Sequence, residues 1–86
     1  MDVLPNRFIT PVTIEIQTNS GYNYKTFSDL QMAYIWVRDI TRPLLTFEAA
    51  CISLDEAYRI RGLRGHVFLA ENPSSTYIAY YGTLTI

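Results

Sequence analysis

Residues 12–17 read Val-Thr-Ile-Glu-Ile-Gln. This strict alternation of β-branched and polar side chains commits the stretch to a half-buried strand. Val12, Ile14 and Ile16 fall on one face, and Thr13, Glu15 and Gln17 on the other. The alternating pattern extends from Phe8 to Thr18, although Pro11 restricts its early part to an edge or a strand entry. Asn19-Ser20-Gly21 is a turn in which Gly21 can take positive φ. Tyr22 to Phe27 then returns as a second strand and completes an N-terminal β-hairpin. A sheet with one apolar face needs a second layer to cover it.

Two helical patterns supply that layer. Ser28 and Gln31 have the spacing of a capping box, and Phe27 and Met32 that of a hydrophobic staple. A helix is expected from Ser28 to about Asp39 or Ile40, ending before Pro43. Leu30, Ala33, Tyr34, Val37 and Ile40 form its apolar stripe, while Met32, Ile35 and Trp36 fall outside. Apolar groups thus cover more of the circumference than one sheet face requires, so the far side meets a second helix or an interface. Thr46 can cap the next helix, with Glu48 in its first turn, where the dipole favours an acid.

Phe47, Ala50, Cys51, Leu54 and Tyr58 repeat at helical spacing, and Asp55 and Arg59 stand as an acid-first i,i+4 pair. Ser53 to Glu56 has the form of a rival cap, at which this helix could break or restart. Gly62 stops the helix after Arg59 and Arg61. His66 to Glu71 is apolar and fits a strand or a short helix. Asn72 to Ser75 is a turn, and Thr76 to Ile86 is strand-like, with Gly82 as a bulge or bend. The fold class is α+β: an N-terminal β-hairpin, two helices, and a C-terminal β-strand or hairpin. The antiparallel sheet carries its helices on one face.

The 86 residues make one domain, 1–86, which buries roughly 60–65% of the surface of its unfolded chain. An apolar share of 49% against 17% charged residues is enough for a core and too little charge for a disordered tail. Cys51 is the sole cysteine, which rules out an internal disulfide. The start, MDVLPNRF, lacks the basic and apolar regions of a signal peptide. The apolar run from Met32 to Val37 is far shorter than the ~20 residues of a membrane span. The expectation is a cytoplasmic protein without a membrane partner.

Catalytic chemistry finds little support. His66 is the only histidine, and a zinc site would have to join it to Cys51 and carboxylates with no supporting spacing. Cys51 and His66 could form a nucleophile–base pair, but Cys51 lies within a helical apolar stripe, where cysteine is usually an inert small hydrophobe. Gly62-Leu63-Arg64-Gly65 lacks the Lys-Ser/Thr of a nucleotide loop. Asp55 and Glu56 diverge on a helix, and Glu48 and Asp55 read as solvated surface. No catalytic, cofactor or metal residue is assigned.

Two features point to a partner instead. Arg59, Arg61, Arg64 and His66 crowd into eight positions that include two glycines. Their structural role would be helix capping, and their functional role a receptor for anions or acidic surfaces. The other feature is an aromatic surplus, with seven tyrosines in the chain. Trp36, Tyr34, Tyr77, Tyr80 and Tyr81 are its candidates. Tyr80 and Tyr81 are neighbours on a strand and must face opposite sides, so one is exposed or covered by a partner. An aromatic C-terminal strand could also pair edge-to-edge with another chain, which makes a homodimer plausible. The partner-binding set is Arg59, Arg61, Arg64, His66, Trp36, Tyr77, Tyr80 and Tyr81.

Pro11-Val12-Thr13-Ile14, Gly21, the helix at Ser28 with Ala33, and Ala50-Cys51 followed by Val67-Phe68 together resemble a small uncharacterised domain family of rhizobia and related bacteria. The resemblance spans about residues 8–70. That family's usual closing helix is replaced here by a Pro/Ser turn and a Tyr-rich strand, and the resemblance implies no functional residue. The expected function is a non-catalytic protein-binding domain. In size and composition it is comparable to phage- or plasmid-encoded inhibitors and adaptors that act on a larger host machine. Nucleic-acid or phosphate-ligand binding through the loop at 59–66 is the alternative. The net charge of −1 supplies no general field to gather polyanions.

Overall fold

The computed structural model describes residues 4–83. The alternating stretch becomes β1 (Val12–Thr18), followed by β2 (Gly21–Phe27), α1 (Leu30–Ile40) and α2 (Phe47–Arg61). A short 3-10 turn (Gly62–Arg64) leads to β3 (His66–Asn72) and β4 (Ser75–Tyr81). The four strands form one antiparallel sheet in the order β2-β1-β4-β3. This is the α+β arrangement expected, with residues 66–71 resolved as strand.

One face of the sheet carries both helices. Val12 pairs with Tyr81, Ile14 with Ala79 and Ile16 with Tyr77, and these side chains meet Leu30, Ala33, Tyr34, Val37, Ala50, Cys51 and Leu54 in one core cluster. β3 contributes Val67, Leu69 and Ala70. A register shift between Phe68 and Ala70 turns both Leu69 and Ala70 inward, as a bulge does.

The helix starts and stops follow local chemistry, with corrections. Asp29, not Ser28, caps α1: its backbone is still extended, and its Oδ1 accepts from Met32 N–H at 2.9 Å. The anticipated Phe27–Met32 staple is absent. Met32 is exposed, and Phe27 packs on Trp36 with ring centroids 5.5 Å apart. Ile40 is also exposed, so the buried stripe of α1 ends at Val37. Thr46 caps α2 through Ala49 N–H at 3.1 Å, and α2 continues without a break past Ser53. Gly62 ends it at φ 63°.

The ion pairing of α2 also differs from the expected one. Arg59 bonds Glu56 at 2.9 Å. Asp55 is not solvated surface but 9% exposed, gripped by Arg7 at 2.6 Å and by the Tyr81 hydroxyl at 2.5 Å. A carboxylate on the inward flank of α2 is compatible with the core because both oxygens have donors.

β4 is not the edge strand anticipated from its place in the sequence. β1 and β3 occupy both its sides, so it has no free edge to offer a second chain. The edges belong to β2 and β3. Half of the β3 edge is already occupied, since Leu44 N–H donates to Leu69 C=O at 2.8 Å and Pro43 bridges Ala70. The expected strand residues 84–86 lie outside the described residues.

Candidate functional site: the uncovered face of the sheet

With both helices on one side, the opposite face of the sheet has no second layer among the described residues. Antiparallel sheets tolerate this when the outer positions are polar, and β1 presents Thr13, Glu15 and Gln17 there. The register sets Tyr24 opposite Glu15 and Tyr22 opposite Gln17 on β2. On β4 it sets Ile78 opposite Glu15 and Tyr80 opposite Thr13. β3 adds His66 beside Tyr80 and Phe68 beside Ile78. The result is an aromatic surface around one carboxylate.

That surface is organised. Glu15 is 8% exposed, and it accepts from Gln17 Nε2 at 2.6 Å and from the Tyr80 hydroxyl at 3.3 Å. The phenols of Tyr24 and Tyr80 are both shifted upward, first by desolvation and then by the nearby charge of Glu15. The His66 ring packs against Tyr80 at 5.3 Å and Phe68 at 5.9 Å. Tyr22 and Phe68 sit at the margins, 65% and 51% exposed. Thr13 Oγ1 donates to Gly82 C=O at 2.7 Å. These contacts tie the polar groups of the face to one another and to the backbone.

The partner residues expected from the sequence divide between surfaces. Tyr80 and His66 join the open face. Tyr77 and Tyr81, 5% and 2% exposed, are core residues and are withdrawn from any contact surface; their strand parity points them at the helices. Trp36 is half-buried between Phe27 and Tyr77, with Lys25 Nζ 5.8 Å from its ring. Arg59 is tied to Glu56 on the outer side of α2. Arg61 lines a groove of about 540 Å³ with Ile52, Ser53, Glu56, Ala57, Ile60 and His66. Arg64 is exposed, and its C=O lies 3.3 Å from His66 Nδ1.

Cys51 belongs to the core cluster, whereas the His66 ring packs on Phe68 and Tyr80, so the two do not pair. Cys51 is buried on the helix side, where burial raises its thiol pKa against the opposing pull of Arg7. Such a thiol is a poor nucleophile.

Sequence reasoning missed Glu15, Tyr22, Tyr24 and Phe68 as site residues. The signal for the first three was present. Once the hairpin is granted, Tyr22 and Tyr24 share the face of Gln17 and Glu15, opposite the Val/Ile stripe. Taken together, the fold and this face define a small α+β domain with one open, aromatic sheet surface. No family model, curated protein or solved structure matches the chain. No helix among the described residues is long and apolar enough to cross a membrane.

Proposed function

We propose that this chain is a small non-catalytic protein-binding domain whose contact surface is the open face of the sheet. The observation that carries the reading is the set of Tyr22, Tyr24, His66, Phe68 and Tyr80 arranged around Glu15 on a face that has no second layer among the described residues. Tyr contributes large contact area at low entropic cost, and aromatic residues are enriched where interfaces are anchored. The face lies on strands rather than loops, and its polar groups are already oriented, which lowers the cost of ordering on binding. A cytoplasmic inhibitor or adaptor of a larger protein machine fits this size and surface. A homodimer through the same face is a variant of the reading.

The test compares capture of proteins from a lysate of the producing cell by three immobilised forms. Wild type and an Arg61→Ser/Arg64→Ser variant are expected to retain the same specific partner, while a Tyr22→Ser/Phe68→Ser variant loses it. Equal capture by all three forms, or no specific capture, removes the reading.

The alternative, a phosphate-bearing ligand at residues 59–66, draws on the groove beside Arg61 and His66. Against it, Glu56 lines the same groove and neutralises Arg59. It requires oligonucleotide or phosphate binding that steepens as salt is lowered. An absence of binding at low salt eliminates it.

A further inference from the structure

We infer that the open face receives a basic side chain, an arginine or lysine presented by a protein partner, seated over Glu15 between Tyr24 and Tyr80. The inference rests on the protein-binding reading above and names the chemistry of the partner. It begins from a contrast between two buried carboxylates. Asp55, on the helix side, has its counter-charge in Arg7 at 2.6 Å. Glu15, buried to a similar degree, has only neutral hydrogen-bond partners among the described residues, in Gln17, Tyr80 and Tyr24. Among the described residues, the ion pairs are Arg7–Asp55 and Arg59–Glu56, so Glu15 has no cation.

An ionised carboxylate that loses water without gaining a cation is strongly disfavoured. Glu15 keeps its residual access to water because no second layer among the described residues covers this face. A neutral partner settling on Tyr22, Phe68 and Tyr80 would remove that water and strand the charge. An acidic partner, or a nucleic-acid backbone, would add repulsion. A guanidinium or ammonium instead supplies the missing charge, and the tyrosine rings beside Glu15 provide π-faces for cation–π contact.

Among the described residues, no lysine or arginine pairs with Glu15. The strand positions that face this way hold no lysine or arginine, and their other acid is Glu71. Lys25 lies on the opposite face, 5.7 Å from the Phe27 ring and 5.8 Å from the Trp36 ring. The complementarity that steers a partner here is therefore acidic and aromatic on this side, basic on the other.

The test is an NMR titration of the ¹⁵N-labelled chain with acetyl-Gly-Arg-Gly-amide, with acetyl-Gly-Glu-Gly-amide as the charge-reversed control. The arginine peptide is expected to give saturable shifts centred on Glu15, Gln17, Tyr24 and Tyr80, and the glutamate peptide none. Glu15→Gln, which keeps the shape and an acceptor oxygen, should weaken the arginine peptide about tenfold, and Arg61→Ser should leave it unchanged. If Glu15→Gln does not fold, Tyr24→Leu serves in its place, and weaker arginine binding is again the supporting result.

Shifts spread equally over the exposed acids Glu48, Glu56 and Glu71, or unchanged by the substitution at Glu15 or Tyr24, overturn the inference. If the arginine peptide fails to bind while protein capture still depends on Tyr22 and Phe68, the inference falls and the protein-binding reading stands. If the peptide binds at Glu15 while capture ignores this face, the cation site stands and that reading falls.

Discussion

Two glycines three residues apart in sequence have opposite reasons to be glycine. At Gly62 the backbone lies at φ 63° with open space around the missing side chain. Alanine there is expected to cost about 2 kcal/mol, from backbone strain alone, because φ 63° with ψ −139° is a conformation that essentially only glycine adopts. At Gly65 a methyl group would fall 2.3 Å from the carbonyl oxygen of Ala57. β3 begins against the backbone of α2, so Gly65→Ala should cost about 3 kcal/mol, because a helix and a strand must part to admit one carbon. Urea unfolding of the two variants separates these causes.

Tyr81 supports another residue-scale prediction. Its phenol is shifted well upward, first by burial and then by its hydrogen bond to Asp55. A phenol whose folded pKa exceeds its unfolded one stabilises the fold fully below the unfolded value, about 10. That contribution is lost as pH climbs from there through the folded value. Tyr24 and Tyr80 are shifted in the same direction. Stability should therefore decline above about pH 10, and Tyr81→Phe should flatten the decline. The same variant should lose about 2 kcal/mol at neutral pH, the worth of a hydrogen bond to a charged acceptor. Urea midpoints taken across the alkaline range read out both effects.

At the scale of elements, the capping of α1 is open to direct test. Asp29→Ala should destabilise the protein by about 1 kcal/mol, and Ser28→Ala by clearly less, as measured by thermal or urea unfolding. Ser28 and Asp29 are both good capping types, and what separates them is the point at which the extended backbone ends. Residue type alone does not encode that point. Most of the elements were legible because their signals are local: the alternation in β1, Thr46 before α2, and Gly62 after it.

What was not legible depends on residues distant in the chain. Asp55 read as half of a surface pair because its actual partner, Arg7, is 48 positions away. His66 and Phe68 could not be assigned to a face while residues 66–71 remained either strand or helix. The central position of β4 is a property of the whole sheet, and no feature of residues 75–81 announces it.

For the whole molecule, the one-sided sheet keeps the core cluster apart from the proposed contact face. The core cluster lies between the sheet and the helices, and Tyr22 and Phe68, exposed at the margins of the open face, contribute little to it. Tyr22→Ser and Phe68→Ser are each expected to change unfolding free energy by about 0.5 kcal/mol or less, measured by urea titration, even as partner capture is lost. A core substitution such as Leu54→Ala should cost about 3 kcal/mol.

The placement of β4 between β1 and β3 also governs how the chain is made. A ribosome delivers both halves of the sheet before the strand that joins them. Until residues 75–81 clear the exit tunnel, β1 has only its hairpin mate and β3 has no strand partner. The core then closes in one late step across the full separation of β1 and β4, and such non-local pairing is slow. Nascent chains stalled short of Ser75 should accordingly be digested readily by protease, and chains stalled well beyond Tyr81 should resist it. The helices thus wait for β4 to give them a floor.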